Sequence, residues 1–195
     1  MNGVHPLSKF DPRRLAHYEM ENWVAYYQKR WPRLLWVSVG MVREAFRLGP
    51  LPAVLGAYLV GRAEIAAAPS PDNDIPQAER YMRRFYRLVQ RAHRMEFDLD
   101  EVARREVNWW VVHRRLFGRV ENDELVEALA DLYTALYGID PAAARAAGAC
   151  RAEAMLYSDR WVQTGKLNGS PLLAQEEDAL CRGYDILRQA LERIH

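Results

Sequence analysis

DLDEVARREVNWWVVHRRLFG (98–118) reads as one complete helix with both ends marked. Asp98 and Glu101 make a capping-box-like pair at its start, and Gly118 supplies a stop. Residues three and four apart share a helix face. Leu99, Ala103, Glu106, Trp110, His113 and Phe117 therefore fall on one stripe. That stripe is apolar or small except at Glu106 and His113, two turns apart, which could reach a common point between helices. A carboxylate is costly to strip of water, so a helix turns one toward its neighbours only where a cation or strong donors await it. Glu106 is the residue from which a site can be sought.

The same punctuation recurs along the chain and predicts an all-α fold, because proline and glycine avoid helix interiors and gather at helix ends. A first helix spans about 12–48 and closes at Gly49-Pro50, with a kink or break expected at Pro32. A second spans about 52–68 and stops at Pro69-Ser70-Pro71. Asp74 caps a third, with Pro76 in its first turn, that reaches about position 94. The 98–118 helix is the fourth. A fifth covers about 122–137, closed by Gly138; Asp140-Pro141 opens a sixth that ends by Gly165; Ser170-Pro171 opens the last. The expectation is a single-domain bundle of six to seven helices over 1–195, with 1–11 as an irregular N-terminal segment. No window alternates apolar and polar residues as a half-buried strand would, and no internal repeat is present.

Composition narrows the class. The 195 residues are 50% hydrophobic and 27% charged, which excludes disordered and fibrous chains. A balance of 27 basic and 26 acidic residues gives a net charge of +1 and no global field for nucleic acid or an anionic membrane. Any polyanion contact would have to be local. Positions 1–10 lack a signal-peptide core and no stretch offers the ~20 apolar residues of a membrane span, so the expected location is cytoplasmic, without membrane contact. Cys150 and Cys181 match no metal or redox spacing and are expected as buried thiols. Lysine occurs only at Lys9, Lys29 and Lys166; arginine carries the rest of the positive charge.

Three further helices repeat the pattern of the fourth. Leu15, Glu19, Trp23 and Tyr26 line up in the first; Val54, Ala57, Gly61, Glu64 and Ala68 in the second; Ala146, Ala149 or Cys150, Glu153, Tyr157 and Arg160 in the sixth. Glu19, Glu64, Glu106, His113 and Glu153 form the candidate metal-ligand set, with Tyr58, Trp110 and Tyr157 as candidate pocket walls. His17 and Glu21, four apart, make a second ligand pair on another face of the first helix. No residue is assigned a catalytic role.

Acids turned inward from four helices resemble the ferritin-like and haem-oxygenase-like di-iron carboxylate bundles. In the ferritin-like pattern two helices give one Glu each and two give a Glu-x-x-His pair, all converging on two metals. This chain departs from it. Its one Glu-x-x-His is Glu192 to His195 at the C-terminus, and the positions three after Glu64, Glu106 and Glu153 hold Ala67, Trp109 and Leu156. His113, or else His17 or His93, would have to substitute, giving a carboxylate-rich or single-metal site. Carboxylate and imidazole ligands suit Fe or Mn, and the absence of a thiolate cluster speaks against structural zinc. With Fe, the resemblance implies dioxygen-dependent oxidation of a small organic molecule in a pocket of aromatic side chains.

The alternative is that arginines satisfy the inward acids and that the bundle is a non-catalytic module binding a ligand or partner. Arg62 lies near Glu64, while Arg104, Arg105, Arg151 and Arg160 flank other acids; a bidentate guanidinium satisfies a carboxylate as fully as a metal does. Arg80, Arg83, Arg84, Arg87, Arg91 and Arg94 occupy one side of the third helix, and a separate face carries Tyr81, Phe85, Leu88 and Ala92. Such a stripe could hold nucleic acid, but the near-zero net charge speaks against it, and Glu121, Asp123, Glu124, Glu127 and Asp131 offer an acidic helix to pair with. The aromatic density at Trp23, Tyr26, Tyr27, Trp31 and Trp36 suggests a homodimer contact through the first or last helix. The Pro71-Asp72-Asn73-Asp74 segment is turn and cap chemistry, Gly165 to Ser170 lacks the phosphate-loop pattern, and no Gly-x-Ser-x-Gly elbow occurs.

Overall fold

The computed structural model describes residues 5–68 and 71–194. The stop at Pro69-Ser70, the irregular reading of 1–4 and the His195 of the C-terminal Glu-x-x-His lie outside the described residues. Among those described the protein is all helical, with α1 (Pro12–Tyr27), α2 (Trp31–Phe46), α3 (Pro50–Ala67), α4 (Ile75–His93), α5 (Leu99–Arg115), α6 (Asp123–Tyr137), α7 (Pro141–Gln163) and α8 (Pro171–Glu192). Eight helices replace the expected six to seven because the first expected helix is two. Lys29 turns left-handed with φ 56°, and the chain restarts with Pro32 in the first turn of α2. At that position a proline cannot continue the hydrogen-bond ladder of the preceding helix.

Helix starts are set by side-chain caps. Asp11, Asp74, Asp98, Asp140 and Ser170 each accept from backbone N–H groups in the first turns of α1, α4, α5, α7 and α8. Glu101 does not complete a reciprocal box at α5, since it pairs instead with Arg104 and Arg105. The segment before α1 is irregular but packed: Leu7, Ser8 and Phe10 are buried. It is held by the Asp11 N–H, which donates to the buried Glu44 of α2 at 2.8 Å.

Each helix packs on its neighbours in chain order, and α8 returns to pack on α1, closing the sequence of helices on itself. Closest approach occurs where side chains vanish. A Cβ on Gly148 of α7 would stand 2.9 Å from the Val126 carbonyl oxygen of α6, and one on Gly183 of α8 would stand 3.1 Å from the Ala147 carbonyl of α7. These two glycines draw α6, α7 and α8 together around the part of α7 that carries Arg151.

Candidate functional site

All eight helices contribute to the wall of one central cavity of about 110 Å³. Leu15 and Glu19 come from α1, Met41, Val42 and Phe46 from α2, Val60 from α3, and Met82, Phe85 and Tyr86 from α4. Glu106 comes from α5, Leu132, Tyr133, Leu136 and Tyr137 from α6, Arg151 from α7, and Tyr184 and Leu187 from α8. The walls are apolar except where two carboxylates, one guanidinium and four phenols meet.

That polar end is a continuous network. Arg151 donates to Oε1 of Glu19 through Nε at 3.0 Å and Nη2 at 2.8 Å, while the Tyr184 hydroxyl donates to Oε2 of Glu19. Nη1 of Arg151 reaches the Tyr133 hydroxyl at 3.4 Å. The guanidinium also lies 4.7 Å from the centre of the Trp109 ring. Trp109 Nε1 donates to Oε1 of Glu106 at 3.0 Å, and the Tyr86 hydroxyl donates to Oε2 of Glu106 at 2.5 Å. Glu19 is 3% exposed, so its ionised form depends on these donors.

With both acids ionised, the site sets two negative charges against one positive. Burial pushes the Glu106 carboxyl above its ordinary value, outweighing the opposing pull of Arg151, Tyr86 and Trp109, and the neighbouring Glu19 adds to the rise. Burial works against charge on Arg151, but Glu19 and the surrounding phenols and Glu106 more than offset it, so the guanidinium stays protonated. Burial likewise raises Tyr86, Tyr133, Tyr137 and Tyr184; Tyr86 and Tyr184 donate to the carboxyl groups, and Tyr133 accepts from Arg151. One guanidinium thus serves two carboxylates. Glu19 has the close ion pair; Glu106 has neutral donors at both oxygens.

Of the five expected ligands, the fold brings Glu19 and Glu106 together. Glu64 is exposed on α3, outside the cavity wall; packing around its carboxyl and then the Glu106 charge push it up to about 7, a repulsion that water at this exposed residue screens. His113 is buried in a separate place, its Nε2 3.2 Å from Oδ1 of Asp159, which also accepts from the Gly118 N–H at 2.7 Å. Glu153 faces outward, accepting from Tyr157 at 3.1 Å and from Arg182 at 2.7 Å. His17 and Glu21 diverge, the first to Glu177 and the second to Arg33. Among the described residues no three His, Cys, Asp or Glu side chains stand close enough to share a cation. As arranged, all four oxygens of Glu19 and Glu106 are engaged by protein donors, which fits a donor-saturated acid pair rather than a vacant ligand set.

The expected pocket walls are also displaced. Tyr58 is 54% exposed beneath Arg62, Trp110 packs edge-on against Trp109 outside the cavity, and Tyr157 serves Glu153. The cavity tyrosines Tyr86, Tyr133, Tyr137 and Tyr184 were not singled out from sequence, nor were the buried acids Glu44, Asp159 and Glu176. A signal existed for Arg151: it shares a stripe with Ala144, Ala147, Gly148 and Met155, small or apolar throughout. No family model matches the chain, and neither a curated protein nor a solved structure matches it.

Proposed function

We propose that this protein is a ligand-binding helical module whose central cavity takes one small organic amine, its apolar body among the aliphatic and aromatic side chains and its cationic end at Glu106. The carrying observation is that all eight helices wall one cavity whose polar end holds two carboxylates and one guanidinium. A bound ammonium would favour the ionised form of Glu106 and add the second positive charge, shielded from water by the tyrosines. Size supports a small ligand: an engineered apolar cavity of about 150 Å³ accepts benzene, and this one is about 110 Å³.

The test is calorimetry and thermal unfolding with n-butylamine and benzylamine, against butyrate and benzoate as anionic controls. Saturable binding of an amine, absent for both acids and lost in Glu106→Gln while the fold is kept, is the expected result. Equal binding by Glu106→Gln, or no binding of either amine, overturns the proposal.

A metal-dependent oxidoreductase is the second reading, with Fe or Mn acting on a small organic molecule. It draws support from Glu19 and Glu106 facing one cavity. Metal analysis of tag-free protein decides it. Near-stoichiometric Fe or Mn, lost in Glu106→Ala, would favour it; protein that stays metal-free after anaerobic Fe(II) loading would remove it.

A further inference from the structure

The outer side of α3 is apolar and uncovered. Leu51, Val54, Leu55, Tyr58 and, past the exposed Arg62, Ile65 follow one stripe and are 46–82% exposed. The opposite side of the same helix, with Ala53, Gly56, Leu59, Ala63 and Ala67, is buried in the core. A helix apolar on both sides belongs in an interior or at a lipid boundary. On the adjoining α2, Leu35 and Trp36 are 69% and 73% exposed, and Trp31 at its start is 53% exposed.

Charge identifies what covers this surface. Residues 28–95, which contain α2, α3 and α4, hold twelve basic against five acidic residues, a surplus of seven. The rest of the chain holds 15 basic against 21 acidic, so the overall +1 conceals a strongly polarised molecule. On α4, packed beside α3, Arg80, Arg84, Arg87 and Arg91 form one exposed stripe, with the exposed Arg94 at its C-cap. Arg83 pairs with Asp100, whereas the acidic side chains of α6 are taken by Arg105, Arg115 and Arg145 rather than by this stripe. The apolar and basic stripes are linked at Arg62, whose guanidinium lies 5.0 Å from the Tyr81 ring of α4 and 5.9 Å from the Tyr58 ring.

We infer that the α2–α4 face docks this protein peripherally on an anionic lipid bilayer. Trp31, Trp36 and Tyr58 would lie at the headgroup level, the α3 stripe in the upper acyl region, and the α4 arginines against lipid phosphates. No described helix is long and apolar enough to cross a membrane, so contact is from one side. A second copy is the poorer occupant, since its matching face would carry the same positive surplus. A nucleic acid would leave the apolar stripe unused.

The experiment is co-sedimentation of the full chain with phosphatidylcholine vesicles containing about a third phosphatidylglycerol, and with phosphatidylcholine alone. Two doubly substituted variants, Leu55→Glu with Ile65→Glu and Arg84→Glu with Arg87→Glu, change exposed residues only, and circular dichroism checks their helicity. The expected result is binding to the anionic vesicles, weakened by salt and by about tenfold or more in each variant. No binding to anionic vesicles overturns the inference. So does binding that ignores the Leu55→Glu/Ile65→Glu change, which would mark general polyanion attraction. A dimer seen by light scattering and split by that same variant, without vesicle binding, would assign the face to a second copy.

Discussion

Arg151 of α7 and Glu19 of α1, 132 positions apart in the chain, form a largely buried ion pair at 2.8 Å. Removing one partner strands the other charge away from water. Arg151→Met is expected to cost about 3–5 kcal/mol, and Glu19→Gln in the same chain should recover much of that loss. Glu153→Ala, whose partner Arg182 is solvent-exposed, should cost less than about 1 kcal/mol. Urea unfolding of the three variants checks the ordering.

Glu176 gives the fold a pH dependence. It is 1% exposed, and among the described residues its Oε2 has no hydrogen-bond partner. Burial, then the charges of Glu19, Asp159 and Glu177, pushes its carboxyl up to about 9 from an ordinary 4.5. Over that window the folded state holds a proton that the unfolded chain has released. The contribution of this group to stability therefore falls as pH rises, by up to about 1.4 kcal/mol per unit. Glu176→Gln should raise the thermal midpoint at pH 8, leave it nearly unchanged at pH 4, and flatten the slope between.

Glycine substitutions should split by position. Gly148→Ala places a methyl 2.9 Å from a backbone oxygen that cannot yield, and should cost about 1–3 kcal/mol. At Gly61 in α3 a methyl would meet nothing within 4 Å. Gly61→Ala should therefore stabilise by about 0.5–1 kcal/mol through the unfolded chain's lost freedom. Thermal unfolding of the pair measures both signs.

Truncating the cavity wall tests the ligand site directly. Leu136 of α6 is 4% exposed and lines the cavity. Leu136→Ala should lower stability by about 2–5 kcal/mol and shift the preferred amine toward a bulkier one, read by calorimetry with benzylamine against n-butylamine.

Helix positions were legible because their signals are local. Asp11, Asp98, Asp140 and Ser170 cap through bonds spanning two or three residues, and a first-turn proline needs no partner elsewhere. Glu19 and Glu106 were legible as inward acids because each sits among large apolar neighbours. On α7 that signal is missing. Its N-terminal half is mostly alanine, so neither face stands out, and Arg151 and Glu153 lie about 200° apart around the helix. The stripe expected to face inward, with Glu153, is the outward one; the core side carries Arg151.

From the sequence alone came the all-helical class, most of the helix boundaries, with the split between α1 and α2 excepted, and two of the acids that meet at the cavity, since each rests on spacing within one segment. Tertiary structure alone decided that α8 closes on α1, that four tyrosines and Arg151 surround those acids, and that exposed apolar and arginine stripes lie on adjacent helices. The reason is physical. Periodicity says that a helix has a buried side, but which side chains meet there depends on how the helices rotate against one another, and that is settled by packing between residues far apart in the chain.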